Sequence, residues 1–124
     1  MAQAKVIVNE TVPVKDVNSL YLKRIYAMQV NKWPNGHPIK VFILPSRSEL
    51  HKQFSVSKLG IQSYQLDRLW SRLIFTGTGK SPEVVQTQGE MLIKVKDTEG
   101  AIGYVAEDFK VDGVRVLSEG AGNE

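Results

Sequence analysis

The sequence predicts an α/β domain with a mostly parallel or mixed sheet flanked by helices. Three observations lead there. The apolar runs Val6-Ile7-Val8, 39–44 and Ala101-Ile102-Gly103-Tyr104-Val105 are short and rich in β-branched residues, with no polar alternation, as in strands covered on both faces. Segments of helical periodicity separate them. The chain has 124 residues, enough for one domain with a core of its own.

Lys5-Val6-Ile7-Val8-Asn9 is the first strand, closed by polar residues. Pro13 keeps Val12-Pro13-Val14 extended, because a residue before proline is pushed out of the helical region. Asp16 or Asn18 caps a helix with Leu20, Leu22, Ile25, Tyr26 and Met28 on one face. Trp33-Pro34-Asn35-Gly36 is a turn, Pro34 setting φ and Gly36 free to make it positive. The second strand covers 39–44, and Pro45 ends it. Ser46-Arg47-Ser48-Glu49 fits a capping box, which makes Ser46 the expected N-cap of a helix that turns Leu50 and Phe54 inward and stops near Gly60. A further helix begins near Ser63, with Leu66, Leu69, Trp70, Leu73 and Ile74 on one stripe. Residues 76–82 read as a glycine-containing loop. Thr87-Gln88-Gly89-Glu90 is a second capping box, opening a helix through Met91, Leu92 and Val95 that Gly100 closes. Strands at 101–105 and 113–117 follow, and the Gly-rich tail, 119–124, is expected to fray.

Composition excludes several classes of function. There is no cysteine, so disulfide scaffolds, thiolate metal sites and cysteine nucleophiles are out. His37 sits in a turn without a second ligand at a useful spacing, and His51 reads as a packed or solvated side chain, so no metal and no cofactor is expected. Thr78-Gly79-Lys80-Ser81 looks like the end of a phosphate loop, but Ile74 stands where its opening glycine belongs. No serine lies in a nucleophile elbow, and Asp16, Asp67, Glu90 and Asp97 have capping or surface explanations, so the chain is not expected to be an enzyme. The net charge of +3 comes from scattered residues such as Lys23-Arg24, Arg68 with Arg72, and Lys94 with Lys96, which gives no nucleic-acid groove. No apolar run is long enough for membrane insertion. Ala2-Gln3 behind an added Met1 is the kind of end that a cleaved signal peptide leaves.

One segment keeps a chemical reading, the strand-to-helix junction Leu44-Pro45-Ser46-Arg47-Ser48-Glu49-Leu50. A helix start after a strand offers free N–H groups and a positive dipole end, Ser46 and Ser48 add hydroxyls, and Arg47 adds a charged fork. The same residues also fit a plain helix cap.

Taken together, the segments resemble the phosphate-type substrate-binding proteins of ABC transporters, which are type 2 periplasmic binding proteins. The resemblance is carried by Val6-Ile7-Val8-Asn9 followed by Val12-Pro13-Val14, by the helix from Leu20 before Trp33, by the strand at 39–44, and by the helix from Ser46 to Phe54. Its most specific part is Thr98-Glu99-Gly100-Ala101-Ile102-Gly103-Tyr104-Val105, where the family reads T-x-G-A-I-G-Y-V. Leu73-Ile74-Phe75-Thr76-Gly77 is similar to the short, roughly domain-sized members. The match covers about residues 5–118.

The resemblance implies a single-lobe domain over 1–124 that is non-catalytic and periplasmic, its signal peptide removed. Its ligand would be an oxyanion such as phosphate, held weakly, or a protein partner. The long members bind between two lobes that close, so one lobe has at most half a site. At this junction the family's second lobe reads R-x-x-x-S-G-T. Ser48 matches the serine, while Leu44 stands in place of the arginine, Glu49 of the glycine and Leu50 of the threonine. Glu49 sets a carboxylate where an anion would approach, and Arg47 partly replaces the lost arginine. The expected half-site is therefore Ser46, Arg47, Ser48 and Glu49, weak or lost for phosphate. The alternative is a structural or interaction module that covers the former cleft face as a homodimer or with a partner.

Overall fold

The computed structural model describes residues 3–77 and 81–119. In chain order the elements are β1 (Ala4–Val8), β2 (Asp16–Val17), α1 (Ser19–Tyr26), β3 (Lys40–Ile43), α2 (Glu49–Phe54), which runs on into a π-helical turn (Ser55–Leu59), α3 (Ser63–Phe75), β4 (Glu83–Val84), α4 (Gln88–Asp97), β5 (Ala101–Ala106), β6 (Arg115–Val116) and β7 (Ser118–Glu119).

The apolar runs predicted as covered strands all lie in one five-stranded sheet of order β4-β3-β5-β1-β6. β3 is parallel to β4 and to β5, whereas β1 is antiparallel to β5 and β6, so the sheet is mixed. Each residue of β5 is buried, as its unbroken apolar run requires. Successive side chains of a strand point to opposite faces, and here each face receives a helix. Gly103 faces α4 so closely that an added Cβ would lie 2.5 Å from the Met91 sulfur. Tyr104 faces α2 and stacks on Phe54 with ring centroids 3.9 Å apart. Asn9, just past β1, fixes the end of α4: its buried amide donates to the carbonyls of Val95 and Lys96, both at 2.9 Å.

The helix caps divide into two outcomes. Asn18 caps α1, accepting from the Tyr21 amide, and Thr87 caps α4, accepting from the Glu90 amide, both as expected. The Ser46 cap is a correction. The N-cap of α2 is Ser48, whose hydroxyl accepts from the His51 amide at 3.2 Å. A turn closed by the Ser48 amide on the Pro45 carbonyl precedes it and carries Ser46 outside the helix. The capping-box spacing to Glu49 favours Ser46, since His51 stands three residues after Ser48, but the turn after Pro45 gives the cap to Ser48.

Other departures follow from tertiary packing. Leu20, expected inward, is 57% exposed, whereas Leu22, Ile25 and Tyr26 of α1 are buried as expected. On α3 Leu66 and Trp70 are buried, while Ile74 is 59% exposed. The π-helical turn also has a reason in its side chains. Phe54 and Leu59 are both buried, five positions apart, and a wider turn brings such a pair onto one face. Gly60 then ends the helix at φ 75°, as predicted. β4 lies just past the predicted loop, in residues to which the sequence assigns no element, and β2 and β7 pair in parallel, placing Glu119 in a strand rather than in a frayed tail. Such two-residue strands have no periodicity to read. Thr78, Gly79 and Lys80 of the phosphate-loop-like string, Ala2 of the processed-looking end, and residues 120–124 of the tail lie outside the described residues.

Candidate functional site

Parallel pairing puts the carboxyl ends of β3, β4 and β5 on one side of the sheet, and the junction 44–50 emerges there. Open α/β sheets hold ligands outside the carboxyl ends of their strands, so this is the place in the fold where a site is expected. The start of α4 joins it: the Gln88 side-chain carbonyl accepts from the Ala106 amide at 2.6 Å, tying that helix to the end of β5.

The four residues singled out from sequence share this loop, but their polar groups are largely engaged. Ser46 is exposed and its hydroxyl donates to Asp67 of α3 at 3.0 Å. Ser48, half-buried, caps α2. Glu49 is exposed and pairs with Lys52 at 3.7 Å, one turn along. Arg47 projects from the turn and makes no hydrogen bond or ion pair with the described residues. Removing the cap should therefore register and removing the outer serine should not. Ser48→Ala is expected to lose about 0.5–2 kcal/mol of stability, and Ser46→Ala less than about 0.5 kcal/mol. Urea denaturation midpoints check both, and equal losses would contradict the assignment of the cap.

Beneath the loop lies a buried network that sequence reasoning missed. Tyr104 of β5 accepts a hydrogen bond from the amide of Leu44 at 2.9 Å, and its hydroxyl stands 2.5 Å from Nδ1 of His51 on α2. With its oxygen accepting from Leu44, the Tyr104 proton is best given to Nδ1, which leaves the His51 proton on Nε2. Nε2 is buried and has no partner among the described residues. Burial lowers the His51 pKa, opposed by the charge of Asp67. Burial raises that of Tyr104 far above a free phenol, against the lowering effect of the Leu44 amide. The signal for this network was present in two places: Tyr104 lies in the most specific string of the sequence, and His51 stands three residues past Ser48.

The sign of the pH dependence follows from the lowered His51 pKa. Below about pH 6.5 the unfolded chain takes up a proton that the native histidine refuses, so its contribution to stability is complete above that pH. The contribution declines as the pH falls from about 6.5 to the lower native value. Urea midpoints measured from about pH 7.5 down to about pH 5 should drop, and more steeply than in His51→Gln. Parallel curves for the two proteins would show that His51 is not the group responsible.

A mixed sheet flanked by helices, with a strand-to-helix loop at its carboxyl edge, makes this chain an α/β domain. Solved structures share this fold. The chain superposes on an ABC-type phosphate transport receptor of Vibrio cholerae with a TM-score of 0.75 at 17% identity, covering 95% of this chain and 46% of that one. It superposes on a Clostridium perfringens protein, described as a phosphate ABC transporter substrate-binding protein with bound phosphate, with a TM-score of 0.77 at 20% identity, covering 95% of this chain and 45% of that one. PstS of Borrelia burgdorferi gives 0.69 at 15% identity, covering 97% of this chain and 48% of that one. The chain thus has the fold of part of these proteins and spans less than half of their length. No protein-family model and no curated protein matches its sequence.

Proposed function

We propose that this chain is a non-catalytic, single-lobe relative of the phosphate-type substrate-binding proteins, working in the periplasm as one domain. Its junction (Ser46, Arg47, Ser48 and Glu49) acts as a half-site that holds an oxyanion weakly or has lost phosphate. The observation that supports this most is the coverage, nearly all of this chain against less than half of each neighbour. The chemistry of the loop supports the weakness of the site. Ser48 already caps its helix, Ser46 already donates to Asp67, and the Glu49 carboxylate stands at the helix start that an anion would approach. An anion here stays in water, so each hydrogen bond to it competes with hydration.

Titration calorimetry with inorganic phosphate, near neutral pH and at low salt, is the test. The isolated monomer should bind with a Kd no better than about 1 mM. Glu49→Gly should tighten whatever binding exists by about fivefold, the equivalent of one like-charge repulsion across a few ångströms of water. Micromolar binding by the monomer would overturn the half-site reading. A second reading, docking of a copy or a protein partner on this face, draws support from Tyr64. That ring is 60% exposed on α3, one turn before the Asp67 that holds Ser46. A dimer by light scattering that alone binds phosphate tightly would favour it.

A further inference from the structure

At the other end of β3, away from the junction, a cavity of about 710 Å³ opens along the sheet edge. β4 pairs only with Phe42 and Ile43, and the β3 residues before them have no strand alongside on that side among the described residues. Its volume lies in the range of small-molecule sites. Met28, Val30, Val41 and Leu73 give it an apolar wall, drawn from the segment after α1, from β3 and from α3. Lysines rim it. Lys94 is matched by Glu83 at 3.6 Å, but Lys32 and Lys40 are exposed and form no ion pair with the described residues, so the rim carries an excess of positive charge.

The backbone adds a further observation. Met28, on the wall, has φ 64°, the left-handed conformation that commonly ends a helix just past its last turn. Its amide is held by the Ile25 carbonyl at 3.1 Å. Its flexible, polarizable side chain lines the cavity, suited to moulding itself against varied hydrocarbon.

A fully hydrated anion would leave the apolar wall unused, and a neutral hydrocarbon would leave the lysine rim unused. We propose that this cavity binds a small amphipathic anion, a hydrocarbon chain or aromatic ring lying on the wall with one carboxylate or sulfonate held by Lys32 and Lys40. The site is independent of the junction, so failure of phosphate binding there does not bear on it.

The full chain is titrated with anilinonaphthalene sulfonate, followed by its fluorescence, and the dye is then competed with decanoate or with decanol, the same chain length without the charge. Decanoate should displace the dye at concentrations about tenfold lower than decanol. Lys32→Glu combined with Lys40→Glu should weaken dye and decanoate binding by about tenfold or more, with Lys110→Glu as a charge control that leaves them unchanged. Amide NMR shifts on adding decanoate should fall at 30–32 and 39–42. The proposal is overturned if decanol competes equally, if lysine reversal has no effect, if no probe binds, or if the shifts gather instead at Phe75, the 92% exposed ring ending α3.

Discussion

Gly100→Ala should lower stability by about 3 kcal/mol, the sum of a backbone and a steric cost. Gly100 has φ 76°, where a Cβ is strained whatever space surrounds it. There is also no space, since the added Cβ would lie 2.4 Å from the Pro38 carbonyl oxygen, a backbone atom that leads directly into β3. Nor is the glycine free to shift. Its amide donates to the Thr11 hydroxyl at 3.0 Å, and its carbonyl accepts from the Trp33 indole at 2.9 Å and from the Lys40 amide at 3.1 Å. Moving it disturbs the turn at 33–36, the start of β3 and the segment after β1 together. Urea denaturation followed by tryptophan fluorescence measures the loss. An unchanged midpoint would mean that the Pro38 carbonyl swings aside without cost.

Tyr104→Phe should lose about 2–4 kcal/mol although the ring itself is kept. The phenylalanine retains the stack on Phe54 and the tilted contact with Tyr26, so the loss isolates the hydroxyl. That hydroxyl serves two buried groups, the Leu44 amide and His51 Nδ1, and without it both are left unpaired in a place that water does not reach. Faster hydrogen exchange at the Leu44 amide should accompany the loss, because the bond that holds the end of β3 against β5 is gone. Adding His51→Phe should recover part of the stability, since an apolar partner leaves no orphaned nitrogen. A single variant as stable as the parent would mean that other groups satisfy the pair.

Much of the fold was legible because it rests on local patterns. Val6 to Val8, the 39–44 run and Ile102 to Val105 announce covered strands through apolar continuity, and they share one sheet. Asn18 and Thr87 announce helix starts through the chemistry of a side chain reaching its own backbone. Gly36 announces a positive φ in its turn and Gly60 a helix stop, and both take the left-handed conformation where a missing Cβ is comfortable. These are interactions between near neighbours in the chain, and the sequence lists near neighbours directly.

Contacts between distant segments were not legible in this way. Gly100 was read as a helix stop, yet α4 already ends at Asp97, and what demands a glycine is the Pro38 carbonyl, 62 positions earlier in the chain. The spacing to Glu49 points to Ser46 as the cap, but the turn after Pro45 carries Ser46 outward to Asp67 and sets Ser48 over the His51 amide. The candidate site shows the same division. Its residue types and their place after a strand are written at 44–50, whereas the buried Tyr104–His51 pair beneath it joins two elements 53 positions apart. Pairing of that kind depends on which faces of which elements meet. Side-chain spacing within an element says which face is apolar, but only the packed sheet, with α2 on one side and α4 on the other, decides what that face touches.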